Sequence, residues 1–364
     1  MYYQSQPLIG KMRLKTLALT NFRLFHDFRL DTSSAFTFIT GHNGCGKTSL
    51  LEAIYYLMSG RSFRKAHRKE LVRKGEELFF LEGELEEGAV DYGVKSSYRA
   101  QPEENRISLG GMRLKSYREL IELFPVIPFL PEDHRILSES PVLRRNFFDR
   151  LMAYSDIRYY DLLLQYQEVL KNRNGLLKSK SQVNLEFWDE KLSLLSEKII
   201  QERHAYVREF NSMLEGKAIL PQGITAFKVS YRNEMTRESM LKKLQEQRGR
   251  EMMLGFTLFG PHRDDFDFRY ALGAVKRYAS AGQLKTLAFF LKMLQASFMA
   301  GKRRSKPILL MDDIFAELDP LNRKNVLTAL RQTGFQTIFT AVDMGDLLPF
   351  FEDLPHEIIS LGQG

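Results

Sequence analysis

An α/β fold built around a phosphate-binding loop is what the sequence predicts, and three observations predict it. A short aromatic and β-branched run, Ala35 to Thr40, leads into the glycine-rich segment Gly41-His42-Asn43-Gly44-Cys45-Gly46-Lys47-Thr48. From Thr48 the apolar period becomes helical, with Leu50, Leu51, Ile54, Leu57 and Met58 on one face and Gly60 where a C′ glycine ends a helix. Late in the chain, the apolar run Ile308-Leu309-Leu310-Met311 ends in Asp312 and Asp313. A strand, glycine loop and helix, completed by a second strand with acids at its carboxyl end, can cradle a nucleoside triphosphate.

The remaining segments fill in the architecture. Met12 to Leu19 mixes apolar and polar positions near period two and reads as a strand. Phe79 to Leu85, Asp91 to Arg99, and the pair Arg106 to Leu109 and Met112 to Leu114 joined by Gly110-Gly111 predict an antiparallel meander beside the main sheet. After Pro125, Pro128 and Pro131 the character changes to long helices, Asp156 to Leu177 and Leu185 to Leu214, with the polar stretch Lys178 to Asn184 as a hairpin tip. From about Gly255 the α/β character returns: a loop Gly260 to Asp265, a helix from Gly282 to about Met299, the strand Ile308 to Met311, a helix after Pro320 and a strand Thr337 to Ala341. The expected organisation is a split head of residues 12–130 and 250–364 with a mixed sheet, an inserted helical arm of residues 131–249, and an N-terminal extension of residues 1–11 ahead of a second possible start at Met12.

Composition narrows the class. With 44% hydrophobic and 27% charged residues among 364, disorder is excluded as the main state. One cysteine, Cys45, and an N-terminus without an apolar run predict a reducing, cytoplasmic setting. The longest uncharged run, Thr32 to Gly46, is shorter than the roughly 18 apolar residues a membrane helix needs, so no membrane partner is expected.

The chemistry follows from residue types. The glycines of the 41–48 segment let successive N–H groups turn toward phosphate oxygens, Lys47 reaches the β and γ phosphates, and Thr48 ligates Mg²⁺. Asp312 holds Mg²⁺ through water, and Asp313 faces the γ phosphate as general base for the attacking water. Ser280-Ala281-Gly282-Gln283 offers a hydroxyl and N–H groups at a helix start; taken alone it also fits an ordinary N-cap. Its place before Asp312, with Ala316-Glu317-Leu318-Asp319 just after, is the order found in ATP-binding-cassette engines, where this segment serves the nucleotide on the opposite subunit. An ATP-dependent homodimer is therefore expected.

The net charge of +8 is unevenly spread. Residues 61–74 carry an excess of six positive charges from Arg61, Arg64, Lys65, Arg68, Lys69, Arg73 and Lys74 against Glu70. Lys171, Arg173, Lys178 and Lys180 form a second cluster, and Lys302, Arg303, Arg304 and Lys306 a third. Together these exceed the net charge of the chain, so the remainder is acidic and the basic charge is local. Contacts to DNA phosphates, sequence-independent and salt-sensitive, are expected at Arg64, Lys65, Arg68, Lys69, Lys171 and Arg173. Arg61 and Arg64 could equally reach ATP, and the sequence leaves both possibilities open.

Together these segments resemble the RecF family of SMC-like cassette ATPases, from Met12 to the C-terminus. Further carriers of the likeness are Asn21-Phe22-Arg23, Gly60-Arg61-Ser62-Phe63-Arg64, Pro131-Glu132-Asp133 with Pro141 and Arg144-Arg145, Gly260-Pro261-His262-Arg263-Asp264-Asp265, and Asp313 to Asp319 with Arg323. The resemblance implies an ATP-dependent dimer on gapped or junction DNA that helps RecR load RecA, supporting fork repair and the SOS response. It departs from the family at Glu139, where Gly is usual, and from cassette ATPases at large in three places. Asp313 stands where Glu is common, Thr340-Ala341-Val342-Asp343 lacks a His, and Pro131 to His134 lacks a Gln. The shorter acid, shared with RecF proteins, implies slow hydrolysis, since drawing a carboxylate back by about an ångström can cost about 10²-fold. The chain would then act mainly as a nucleotide switch, with weak DNA-stimulated ATPase activity. One alternative, the ATPase subunit of an ABC membrane transporter, shares the motifs. A ring-forming SMC protein would need far longer arms than the segment between Pro141 and Gly255 can supply.

Overall fold

In the computed structural model, which describes residues 12–214, 226–302, 306–318, 320–345 and 347–362, the chain divides into two units. One runs up to Asp133 and resumes at Leu291, and the other is His134–Phe290. The first unit opens with β1 (Met12–Phe22), β2 (Phe25–Asp31), β3 (Phe36–Thr40) and α1 (Lys47–Ser59). It continues through β4 (Leu78–Glu87), β5 (Val90–Arg99), β6 (Glu104–Leu109), β7 (Met112–Arg113) and β8 (Val126–Phe129). Burial decides which sheet a strand joins. β1 alternates buried and half-buried side chains and lies in a six-stranded antiparallel sheet, β2-β1-β4-β5-β6-β7. β3 is buried along all five residues, as strands covered on both faces are, and enters a parallel sheet.

The second unit carries α2 (Pro141–Ser155), α3 (Ile157–Lys178), α4 (Leu185–Leu214), β9 (Lys228–Tyr231), β10 (Phe266–Tyr270) and β11 (Gly273–Ala274). α5 (Ala281–Lys302) follows, and the first unit resumes with β12 (Ile308–Asp312), α6 (Pro320–Thr333), β13 (Thr337–Ala341) and β14 (His356–Ser360). The parallel sheet has the order β14-β3-β13-β12-β8. Parallel and antiparallel pairing are thus both present but sorted into separate sheets. β8 and β14 were not expected as strands: β8 contains Pro128 and β14 carries His356 and Glu357, and both features suit the two edges these strands occupy. The two sheets are joined by Gln336, whose amide accepts from the Leu14 N–H at 2.7 Å and donates to the carbonyls of Leu14 and Thr32 at 2.9 and 2.5 Å.

In the second unit α3 and α4 are joined at the expected tip and pack along one another. The helical arm expected over residues 131–249 also carries a strand, β9, which pairs with β10 and β11 beyond it in an antiparallel sheet on which Phe148 of α2 stacks through Phe266, ring centroids 4.2 Å apart. Strands of two to five residues leave too short a periodic signal to read. The expected boundary at residue 250 also moves, to within α5. Ion pairs hold the first part of this stretch, residues 251–265, to the arm. Arg173 binds Asp189 and Glu251, each at 2.6 Å; Arg203 binds Asp149 at 2.8 Å and Asp264 at 3.0 Å; Arg144 binds Asp265 at 2.7 Å. The composition turns back to α/β near Gly255, but the partners of Glu251, Asp264 and Asp265 lie on α2, α3 and α4, so this stretch packs with the arm.

Candidate nucleotide site and basic surfaces

β3 delivers Thr40 to the carboxyl edge of the parallel sheet, and the loop 41–46 turns there into α1. Gly46 caps α1 with φ 104°, and a Cβ at that position would stand 2.6 Å from the Phe25 ring, so the loop closes only with glycine. Lys47 is buried, its Nζ donating to the carbonyls of Gly41 at 2.7 Å and His42 at 3.0 Å, which folds the loop around the ammonium. Gly44 and Cys45 complete the turn, the Cys45 N–H reaching the His42 carbonyl at 3.4 Å, and Asn43 is exposed at its tip.

The second strand of the site, β12, is separated from β3 by β13, whose Thr340 pairs in register with Asp312. Asp312 Oδ1 accepts from Thr48 Oγ1 at 2.8 Å and from Thr340 Oγ1 at 2.9 Å. Burial pushes the Asp312 carboxyl above the ordinary aspartate range, while the two hydroxyl hydrogen bonds and the positive charge of Arg64 pull it back. Thr48 and Asp312, the two expected metal ligands, therefore meet. One hydroxyl and one carboxylate suit Mg²⁺, which takes few protein ligands and fills its octahedron with phosphate oxygens and water. Among the described residues no group of three His, Cys, Asp or Glu side chains forms an all-protein metal cage.

Asp313 leaves the strand in the left-handed region, φ 47°, with its N–H donating to Thr340 Oγ1 at 2.9 Å. Sequence reading did not single out Thr340, although a hydroxyl at the end of an apolar strand beside the acids was the available signal. In the Pro131–His134 stretch, Asp133 pairs with Lys292 at 2.5 Å and accepts from the Leu130 N–H at 2.7 Å, which fixes the loop that lacks the usual Gln. Asp319 lies outside the described residues.

Ser280 caps α5, accepting from the Gln283 N–H at 3.3 Å while Gln283 Oε1 accepts from the Ser280 N–H at 2.9 Å. Ser280 and Gly282 are exposed, so the reciprocal cap is presented at the surface of the arm unit.

The basic segment 61–74 is held by α1. Glu52, fully buried, takes two hydrogen bonds from Arg23 at 2.8 and 2.9 Å and one from Ser62 Oγ. The Arg23 N–H donates to the Leu71 carbonyl and the Arg73 N–H to the Asn21 carbonyl, both at 2.8 Å. Arg61, Arg64, Lys65, Arg68, Lys69 and Lys74 are exposed on this platform, and Arg64 is also the one whose charge reaches Asp312. Sequence reading missed Glu52, an acid on the apolar face of a helix.

The other two clusters fare differently. Lys171, Lys178 and Lys180 are exposed, but Arg173 is fully buried in its ion pairs and offers nothing to DNA, which corrects that expectation. Lys306 donates to the Thr333 carbonyl at 3.2 Å, where a cation at the end of α6 complements its dipole, and Arg303 and Arg304 lie outside the described residues. Among the described residues no helix is long and apolar enough to cross a membrane.

A family model described as the RecF/RecN/SMC N-terminal domain matches residues 13–348. A DNA replication and repair protein RecF of Chlorobium phaeobacteroides (strain BS1) is 33% identical over 353 residues, covering 92% of this chain and 96% of its own. One of Shewanella denitrificans is 32% identical over 359 residues, covering 97% and 98%. Among solved structures, the recombination mediator protein RecF with ATP, in the RecFOR pathway, matches at TM-score 0.85 and 29% identity, covering 95% of each chain. An SMC head bound to the C-winged helix domain of ScpA matches at TM-score 0.55 and 16% identity, a likeness of fold alone. The transporter alternative finds no support among these relatives.

Proposed function

The chain belongs to the RecF family of the RecF/RecN/SMC group, and on that premise we propose that it is an ATP-switched DNA-binding protein of recombinational repair and replication-fork maintenance. ATP joins two copies, the Ser280–Gln283 cap of each meeting the nucleotide held by the other, and the dimer grips gapped or junction DNA. In this reading it helps RecR bring RecA to single strands and supports the SOS response; the likeness to a recombination mediator protein RecF of the RecFOR pathway supports this. The observation that carries the proposal is the hydrogen-bonded chain Thr48–Asp312–Thr340, which locks the loop helix to the acid-bearing strand.

Each step falls to a residue with a defined place. N–H groups of the loop and the Lys47 ammonium, now occupied with the Gly41 and His42 carbonyls, turn to the phosphates. Thr48 and Asp312 would hold Mg²⁺, which would supply positive charge to neutralise the phosphates. Asp313 takes a proton from the attacking water, and its short side chain keeps turnover slow, as a switch requires. The platform 61–74, tied to α1 through Glu52, takes DNA phosphates at Arg64, Lys65, Arg68 and Lys69, with Lys171 contributing from the arm.

Asp313→Asn tests the assignment. ATP binding should persist, hydrolysis should fall by at least about 10²-fold, and the dimer should accumulate because it forms but does not discharge. Unchanged turnover would reject Asp313 as the base. Lys47→Ala should instead abolish nucleotide binding and dimer formation together.

A further inference from the structure

The arm unit contains a polar groove of about 710 Å³ between its small sheet and the short helix Val275–Tyr278, lined by none of the basic residues that the charge pattern singled out. Three carboxylates lie in its wall, and all three are already matched: Asp264 by Arg203, Asp265 by Arg144, and Asp267 by Arg269 at 3.9 Å. The cations at its mouth are not. Arg232, Lys276 and Arg277 are exposed and, among the described residues, pair with no carboxylate. The groove therefore presents positive charge over a neutralised wall.

Two further features define what would fit. Tyr278 is 58% exposed, yet its ring is set in place by the β10–β11 turn: at Gly273, φ 123°, a Cβ would stand 2.9 Å from the tyrosine ring. Ser230 lines the groove, and its Oγ, shielded from solvent, has no hydrogen-bond partner among the described residues. Cations for a phosphodiester backbone beside an exposed, seated aromatic ring form the pairing that grips an unpaired base and its strand. A duplex keeps its bases stacked inside and would engage the cations but not the ring.

We propose that this groove binds single-stranded nucleic acid, with Arg232, Lys276 and Arg277 on the backbone and a base stacked on Tyr278. Tyr278 stands two residues before Ser280, so an occupied groove adjoins the cap that serves the partner's nucleotide in the dimer. The proposal deepens the DNA-binding reading above and rests on it, but not on the platform 61–74.

The test is fluorescence anisotropy of a labelled oligo-dT of about 15 nucleotides on the full chain with ATP, alongside a blunt duplex. Lys276→Gln with Arg277→Gln should weaken oligo-dT binding at least about tenfold and flatten the slope of log affinity against log salt by about 1.4, for two phosphate contacts. Tyr278→Ala should lose about fivefold or more while Tyr278→Phe retains parental affinity, and duplex binding should not respond to Tyr278→Ala. Parental oligo-dT affinity in both the double variant and Tyr278→Ala overturns the groove, and if Arg64→Gln with Lys65→Gln still weakens duplex binding, the general reading survives. A parent chain that binds neither oligo-dT nor gapped duplex overturns both.

Discussion

Arg173 and Lys171 stand two positions apart on α3 and have opposite fates. Arg173 points inward to Asp189, Glu251 and the Thr257 hydroxyl, the last at 2.7 Å, while Lys171 is exposed. Removing this cation leaves the fully buried Glu251 without its cation, while Asp189 keeps Arg248 at 3.0 Å, so Arg173→Met should destabilise the arm by about 3 kcal/mol, read as a lowered Tm. Lys171→Gln should leave Tm in place and reduce the salt slope of DNA binding by about 1. His262 carries a second residue-scale consequence. Its Nε2 faces the Thr257 carbonyl at 3.1 Å and its Nδ1 the Tyr166 hydroxyl at 2.6 Å. Burial pushes the ring down to about 4, so it is neutral, with Nε2 donating and Nδ1 accepting from tyrosine. Because the folded value lies below the ordinary 6.5, the unfolded chain takes up a proton that the folded arm refuses. Stability is full above about pH 6.5 and falls as pH drops toward 4, by up to about 3 kcal/mol. Urea unfolding of the parent and His262→Gln across that window checks it: the variant should lose this part of the pH dependence.

At the scale of elements, α1 does more than carry Lys47 and Thr48. Glu52, on its buried face, holds Arg23 and Ser62, and through them the strand tip Asn21–Arg23 and the basic platform. The loop that binds nucleotide and the surface assigned to DNA share one helix. Glu52→Ala should take from Arg23 its carboxylate partner, leaving it the Glu70 carbonyl at 3.0 Å, cost about 3 kcal/mol and loosen residues 61–74, seen as faster amide exchange there before the rest of the unit. The elements that sequence reading recovered have strong local punctuation. Gly60 ends α1 with its N–H on the Tyr56 carbonyl, Gly110 and Gly111 turn β6 into β7, and a polar tip separates α3 from α4. Those it missed are short or atypical: β2 with its exposed polar face, β8 with its proline, β14 at an edge, and the three strands of the arm. Site residues within motifs were legible because loop and acids are each contiguous. Glu52, Thr340 and Gln336 act through partners remote in sequence, which no local spacing reveals.

For the whole molecule, the +8 excess resolves into surfaces of different kinds. The platform 61–74 is exposed and anchored, the α3 cluster loses Arg173 to the core, and Lys306 closes a helix end. The Gly260–Asp265 segment, read in the sequence as a loop and as one carrier of the resemblance, supplies ion-pair partners to α2 and α4 and so groups with the arm. Nucleotide loop and signature cap belong to different units of the chain, and the cap is exposed, as a segment serving a second copy must be. Whether ATP joins two copies on DNA is decided by light scattering of the full chain with Mg²⁺ and ATP or ADP, with and without gapped DNA. A monomer is expected with ADP and a doubled mass with ATP, strengthened by gapped DNA and lost in Lys47→Ala; a monomer under every condition would overturn the ATP-driven dimer.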